Sequence, residues 1–455
     1  MDREVTLMEI LDARELRAKR QQQLLARYTL PLVSFTLNIA GPVKTSAAIR
    51  RVFREGCARL DDALRGTSIE IRAKQLFDAP TGPEGLYALC GEAAAIKALC
   101  IRLEDEDALG RLFDLDVLDA DGRKLGRAQL RKPPRGCLIC GKPGSGCASR
   151  RVHSAEALQA KTRAVIRGYF AQKDAQWVAA QAVRALNFEV CTTPKPGLVD
   201  RANTGSHSDM DIFTFLSSAA AISPYFLRAV QIGQETAARD PDETFRRVQA
   251  QGLRAERAML AATGGVNTHK GAIYSMGLLC AAAGRLWSAA GICTDPEALL
   301  SECAALAREA AQKALADVRA ETCRTAGERL WLRCGQRGVR GEAMEGFPSV
   351  RHLAFPALEK ALREGSSLER AGICALLHLM AGVQDTNLAA RGGKRAQAFT
   401  AQYAARLLSR GDGTHAALVQ FDREMIRRNL SPGGCADLLA MTYFLHFLQQ
   451  DAAAI

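Results

Sequence analysis

L-G-R-L-F-D-L-D-V-L-D, Leu109 to Asp119, alternates apolar and acidic residues from Phe113 onward, and the turn Ala120-Asp121-Gly122 closes it. Successive side chains of an extended chain point to opposite faces. Phe113, Leu115 and Val117 therefore share one face, and Asp114 and Asp116 the other. This is a strand with one apolar face. Upstream, L-P-L-V-S-F-T-L-N-I (Leu30–Ile39), Ile69–Leu76 and Gly85–Leu89 are strand-like as well. Helical readings separate them: Leu7–Tyr28, a run from a Thr45 cap to about Leu64, and Ala93–Ile101 before the acidic cluster Glu104-Asp105-Glu106-Asp107. The first half reads as α+β.

Beyond Ala175 the pattern changes. Helical runs follow at Trp177–Ala185, Ile212–Val230, Thr244–Ala261, Ala272–Ala289, Glu297–Ala320, Ser367–Met380, Ala396–Ser409 and Cys435–Phe447, with no alternating strand. Pro224 predicts a kink or break in the second run. The second half is expected to be all-α. A chain of 455 residues exceeds one ordinary core. The polar helical stretch Ser154–Lys173 holds the junction, giving domains 1–168 and 169–455.

With 48% apolar and 24% charged residues the chain is globular in composition. No apolar run approaches the roughly 18 residues that span a membrane, and the acidic N-terminus is not a signal peptide. The 14 cysteines are scattered rather than framed. A soluble, cytoplasmic protein with reduced thiols is expected. The net charge of +12 calls for an anionic partner, and nine Lys/Arg with no Asp/Glu fall between Arg123 and Arg151. No aromatic interleaves that run, which argues against a stacking platform for single-stranded nucleic acid.

Two carboxylates side by side on a strand repel each other unless a cation lies between them. Asp114 and Asp116 are thus a candidate Mg²⁺ site for phosphoryl or nucleotidyl transfer, with Arg111 placed to meet a phosphate. A solvated strand face gives the same pattern. Cys137-x2-Cys140-x6-Cys147-x5-His153 has the ligand types of a structural Zn²⁺ site at unfamiliar spacings, or is a basic loop with incidental thiols.

Four polar loops of the second half each carry acids and bases. C-T-T-P-K-P-G-L-V-D-R-A-N-T-G-S-H-S-D-M-D (Cys191–Asp211) holds Lys195, His207, Asp209 and Asp211 ahead of an apolar helix, whose N-terminus favours anions. G-G-V-N-T-H-K-G (Gly264–Gly271) offers Asn267, His269 and Lys270. It is not a Walker A loop, because His269 stands where the second glycine belongs and Gly271 follows the lysine. G-V-R-G-E-A-M-E-G-F-P (Gly338–Pro348) offers Arg340 and Glu342 in a glycine-rich turn, and D-T-N-L-A-A-R-G-G (Asp385–Gly393) offers Asp385, Asn387 and Arg391. Any one loop could be an ordinary capped helix end. Four together predict one site at an end of the bundle, where acids hold Mg²⁺ and bases hold phosphates.

Together the four loops resemble the triphosphoribosyl-dephospho-CoA synthase family, through T-T-P-K-P-G-L-V-D-R-x-N-x-G-x-H-x-D-M-D, G-x-N-T-H-K-G, R-G-E-A-x-x-G-F-P and D-T-N-x-x-x-R-G-G. The first half resembles the citrate lyase holo-acyl-carrier-protein synthase (phosphoribosyl-dephospho-CoA transferase) through L-G-R-L-F-D-L-D-V, C-L-I-C and the following R-x-H. The resemblance implies a fused, bifunctional transferase. Its second half would join ATP to 3′-dephospho-CoA and release adenine. Asp209, Asp211, Glu342 and Asp385 would supply metal ligands and a base, Lys195, Lys270, Arg340 and Arg391 phosphate contacts, and His207, His269, Asn267 and Asn387 orientation. The first half would pass the phosphoribosyl-dephospho-CoA unit to a serine of an apo-acyl carrier protein and release pyrophosphate, with Asp114 and Asp116 holding Mg²⁺. A carrier protein is typically acidic, which suits the Arg123–Arg151 run. A nucleotidyltransferase-like fold is implied for this half, although the Gly-Ser or Gly-Gly signature expected ahead of Asp114 is not visible. The rival readings are a Mg²⁺-dependent hydrolase of ADP-ribose-like nucleotides and a basic, zinc-containing nucleic-acid-binding protein. Nucleic acid and membrane are not expected partners.

Overall fold

The computed structural model describes residues 3–150, 152–319, 323, 326–411 and 413–451. The chain divides into two compact units, Met1–Ala171 with Ser288–Gly291, and Gln172–Trp287 with Ile292–Ile455.

The first unit is built on five antiparallel strands: β1 (Leu32–Leu37), β2 (Glu70–Phe77), β3 (Glu84–Cys90), β4 (Phe113–Leu118) and β5 (Lys124–Leu125), in the order β2-β3-β1-β4-β5. Helix α1 (Leu7–Tyr28) precedes β1, α2 (Ala47–Arg65) follows it, and α3 (Ala93–Asp105) leads towards β4. The cap of α2 is Ser46, one residue after the expected Thr45: Ser46 is extended, and its Oγ accepts from Ile49 N at 3.2 Å. Central β1 pairs with β4 so that Ser34 faces Asp116 and Thr36 faces Asp114. On the opposite face Phe35 stacks on Phe53 of α2 at 4.9 Å and meets Phe113 edge-on at 5.5 Å. Gly56 is what lets α2 come so near, since a Cβ there would overlap the Phe35 ring. On the aspartate face, Leu24 of α1 packs on Leu32, Leu86 and Ala88, which covers the sheet beyond Asp116 and leaves the Asp114 end open.

The short helix α4 (Gly144–Ser149) is followed by α5 (Ala155–Cys191), one helix of 37 residues that absorbs both the expected junction stretch and the Trp177–Ala185 run. No proline interrupts it, and Gly168 is the one weak helix former near the junction.

The second unit is helical: α6 (Ile212–Thr236), α7 (Pro241–Ala262), α8 (Lys270–Arg285), α9 (Pro296–Ala316), α10 (Ala326–Cys334), α11 (Gly338–Met344), α12 (Phe355–Arg363), α13 (Leu368–Gly382), α14 (Thr386–Arg410), α15 (His415–Arg427) and α16 (Gly433–Asp451). Helix α6 runs on through Pro224 rather than breaking there. It is also long and apolar enough to cross a membrane, contrary to the expectation that no such run exists. Here its Ile222, Phe226, Ala229 and Val230 are buried, and it packs on α7 and α8. The crossing with α8 is close because Gly233 and Gly284 face each other's backbones, where a Cβ would overlap Ala281 O or Val230 O. Helix α8 is buried nearly all round, as a central helix must be. Helices α10, α11, α12 and α15 were not foreseen. Two of the expected positions, Ala320 at the end of a helix and Arg151 at the end of the basic run, lie outside the described residues.

Candidate active sites

In the first unit, Asp114 and Asp116 project from the same face of β4, as the alternation requires. Asp114 Oδ2 accepts from Thr36 Oγ1 at 3.4 Å, and its Oδ1 lies 3.6 Å from Arg135 Nη1. Burial, with the neighbouring Asp116 second, raises its pKa. Asp116 is paired with Lys124 at 2.6 Å. Between the two, the backbone of Leu115 is held from the side away from β1: its N–H donates to the buried Glu104 carboxylate at 3.0 Å, and its carbonyl accepts from the buried Lys97 ammonium at 2.8 Å. These side chains stand in for a missing neighbour strand, because β5 reaches only Val117 and Leu118. Arg127 closes on Glu104 at 2.6 Å and on Asp105 at 2.8 Å. Glu104 and Asp105, at the end of α3, are thus tied into the fold, and Lys97, Glu104 and Arg135 lie beside the aspartate pair, neighbours that sequence reasoning passed over. Arg111 does not face the aspartates freely; it donates to Gly136 O and lies 3.7 Å from Asp105. Cys137, Cys140, Cys147 and His153 bring one ligand atom each within 4.8 Å of one another.

In the second unit a cleft of about 1880 Å³ is lined from all four polar loops. The structure brings together His207, Asp209, Asn267, His269, Lys270, Arg340, Glu342, Asp385, Asn387 and Arg391 around it. Lys195 and Asp211 are not among the lining residues. Lys195 is buried and its ammonium donates to Glu189, whose own pKa burial raises against the pull of Lys195. Asp211 is the exposed N-cap of α6, accepting from Thr214 N at 2.9 Å while the Thr214 hydroxyl reaches back to it. That bonding, backbone N–H first after the Thr214 hydroxyl, lowers its pKa.

The lining groups differ in what they have left to offer. Asp385 caps α14 through Asn387 N at 2.7 Å and Leu388 N at 3.2 Å, and its other oxygen accepts Cys435 N at 2.9 Å. Burial nevertheless raises its pKa. Glu342 lies on helix α11, not on the glycine turn expected there; it accepts from Ser349 Oγ at 2.6 Å, and burial raises its pKa. Arg340, on the same helix, is 3.5 Å from Glu328. Lys270 opens α8, pairs with Glu256 at 3.0 Å, and donates its N–H to Asn267 Oδ1 at 3.3 Å. His269 Nδ1 shares a 2.7 Å hydrogen bond with Ser218 Oγ, which accepts from Thr268. Burial lowers the His269 pKa to about 3, so the ring is neutral at ordinary pH. His207 Nε2 bonds Ser431 Oγ at 2.9 Å, and burial followed by Arg391 lowers its pKa. Arg391 donates to Ser206 O at 2.9 Å and Asn429 Oδ1 at 3.0 Å, and so ties two loops together. Asp209 is mostly exposed, 3.8 Å from His207.

Of the lining carboxylates that sequence reasoning did not single out, among them Glu189, Glu256 and Glu328, the one that bears most on the site is Asp437. Asp437 sits on α16 with its side chain against the start of α8, accepting from Ala272 N–H; a Cβ at Gly271 would overlap its Oδ2. Burial, then Glu189 and Asp385, raise its pKa well above the usual carboxylate range. The signal was a lone acid within C-A-D-L-L-A-M-T-Y-F-L, an otherwise apolar helix.

Residues 5–169 match the family described as apo-citrate lyase phosphoribosyl-dephospho-CoA transferase, CitX, and residues 175–454 match ATP:dephospho-CoA triphosphoribosyl transferase, CitG. The protein named CitXG of Haemophilus influenzae is 36% identical over 97% of this chain and 96% of its own length. The chain belongs to the CitX–CitG fusions. A second CitXG, from Leuconostoc mesenteroides subsp. cremoris, is 34% identical over 97% of each chain. The 2-(5''-triphosphoribosyl)-3'-dephosphocoenzyme-A synthase of Pectobacterium atrosepticum is 44% identical to 63% of this chain and is covered over 94% of its length. The fusion is a bifunctional transferase, whose CitG part makes and whose CitX part attaches the prosthetic group of citrate lyase.

Proposed function

We propose that residues 169–455 carry the synthesis and residues 1–168 the attachment, each at the site described for its own unit. The observation that carries this is the convergence of four separate loops, with their acids and bases, on one cleft in the helical unit.

In the cleft, the ribose 2′-hydroxyl of 3′-dephospho-CoA attacks the anomeric carbon of ATP; the new glycosidic bond forms as the bond to adenine breaks. The proton leaving the hydroxyl ends on adenine, so a group that can take and return one proton is needed. Glu342 and Asp437 are the candidates, since both line the cleft and burial raises their pKa values above the usual carboxylate range. Lys270, Arg340 and Arg391 would bind the triphosphate, and His207, Asn267 and Asn387 would orient the substrates. Neutral His269 would shape the wall rather than act as an acid. Asp385 would serve by fixing the starts of α14 and α16, its lone pairs being largely engaged. Asp209 is the carboxylate best placed to share Mg²⁺ with substrate phosphates. Among the described residues no three acids converge into a ready-made cage, which fits an ion held by few carboxylates and the nucleotide.

At β4, Asp114 and Asp116 project side by side from one strand face and fit a divalent cation, because burial, with the charge of Asp116 second, holds Asp114 above its ordinary pKa without one. Bound there, Mg²⁺ would neutralise charge on the phosphate under attack. Arg135 would face the same phosphate beside Asp114, in a nucleotidyltransferase-like arrangement, while a carrier-protein serine displaces pyrophosphate. The exposed Arg131, Lys132 and Lys142 would meet an acidic carrier protein. The Cys137, Cys140, Cys147, His153 cluster would hold Zn²⁺, and the protein is proposed to act in the cytoplasm.

Adenine release from ATP and Mg²⁺, with and without 3′-dephospho-CoA, tests the first reaction. Release only in its presence supports this reading, and release without it points to a nucleotide hydrolase. No release beside an active control would overturn it.

A further inference from the structure

The cluster at Cys137 has the backbone of a metal knuckle as well as its ligands. The C-L-I-C-G turn folds back on itself: Cys137 N–H donates to Lys142 O at 2.6 Å, Gly141 N–H to Cys137 O at 3.0 Å, and Gly136 bridges Pro143. Gly141 takes φ +72°, which glycine alone adopts without strain. The N–H groups of Ile139 and Cys140 are aimed at the Cys137 sulfur, where they would stabilise a thiolate. From a second segment, Cys147 brings its sulfur to 3.5 Å from Cys140 Sγ, and His153 Nε2 lies 3.3 Å from the same atom. Tetrahedral zinc, with Zn–S near 2.3 Å, sets its sulfurs roughly 3.7 Å apart. The Cys140–Cys147 and Cys140–His153 separations are therefore close to the spacing that one ion imposes, and all four ligand atoms lie within 4.8 Å of one another.

We infer that Cys137, Cys140, Cys147 and His153 form a closed, structural zinc site whose work is to pin Arg135 beside Asp114. Four protein ligands leave no position for substrate, which separates this ion from the reaction. The knuckle is joined to β4 by short links. Arg135 O accepts Gly144 N–H at 2.8 Å, its guanidinium donates to Arg111 O at 2.9 Å, and Arg111 donates to Gly136 O. Among the described residues, residues 131–136 contribute no strand or helix of their own. Zinc would brace a segment that has no regular secondary structure of its own.

The full chain, purified without chelator, should contain one zinc per molecule by elemental analysis, with an X-ray absorption edge fitted by three sulfurs and one nitrogen. Cys140→Ser and Cys147→Ser should lose the metal, and Cys293→Ser, remote in sequence and of the other unit, should keep it. A folded protein, competent in adenine release, that neither contains zinc nor takes it up when supplied overturns the site; so does iron in its place. The second arm rests on the reading of the first unit as the attaching transferase. Cys140→Ser should slow attachment to the apo-carrier protein at least tenfold and leave adenine release within twofold. Loss of zinc with attachment unchanged would remove the link to Arg135. An intact chain that holds zinc but attaches nothing would instead count against the transferase reading, so the two failures are distinct.

Discussion

The two sites place carboxylates by opposite means. At β4 the pleat of one strand sets Asp114 and Asp116 side by side, and the backbone between them is clamped by Lys97 and Glu104. In the cleft each acid comes from a different helix end, and its availability depends on how many N–H groups it already serves. Asp385 accepts three, Glu342 is held by one serine, and Asp437 leans on the start of α8. An acid on a strand face is positioned by its neighbours in sequence, whereas an acid at a helix end competes with the helix for its own lone pairs.

The sharpest break of this contrast is on the strand. Asp114→Asn and Asp116→Asn keep size and polarity but remove the charge that a cation would balance. Each should lower attachment to the apo-carrier protein by roughly two to three orders of magnitude, as loss of a charge-stabilising group does. Adenine release should be unchanged in the same preparations. Attachment within a few-fold of the parent would reduce the pair to a solvated strand face.

In the cleft the corresponding probe leaves every charge in place. Gly271→Ala puts a methyl group where the Asp437 carboxylate lies, and the flexible end of that side chain must swing away. If Asp437 handles the proton, adenine release should fall at least tenfold with little loss of melting temperature, and Asp437→Asn should match it. A lower melting temperature with normal turnover would make Asp437 part of the packing only.

The same contrast explains what could be read in advance. Period-two alternation gave Leu109–Asp119 its strand and faces, and the absence of alternation after Ala175 gave a helical second half. The clustering of four loops was legible because Asp, Asn, His, Lys and Arg recur there beside helix starts. Helix α11 was not, since Gly338 and Gly341 mimic a turn; nor was α15, whose apolar residues Leu418, Phe421 and Met425 bury at helical spacing among many charges. Asp437 stayed hidden because its role depends on Gly271, far away in sequence. Lys195 looked like a phosphate ligand and is instead buried against Glu189. A one-dimensional reading counts the charges near a site, but partners that fold in from elsewhere decide which remain available.

Asp211 tests that last distinction most finely. Sequence context makes it a metal ligand, D-x-D with Asp209, and the fold makes it a cap: its Oδ1 takes both Thr214 N–H and the Thr214 hydroxyl, and it lies outside the cleft. The depressed pKa has the same cause, so the carboxylate's stabilising contribution is present at neutral pH and is lost as the solution is acidified through its lowered pKa. Asp211→Ala should therefore lower the melting temperature of the helical unit by roughly 2 to 4 °C, by loss of the cap at α6. Asp211→Ser, which can still cap, should recover most of that difference. Both variants should release adenine within about threefold of the parent, because neither removes a group that faces the nucleotide. If both variants instead raise the Mg²⁺ concentration needed for half-maximal adenine release tenfold, while melting normally, then the D-x-D pair works as a ligand set in the bound state, and the helix end and the strand position their acids for the same purpose after all.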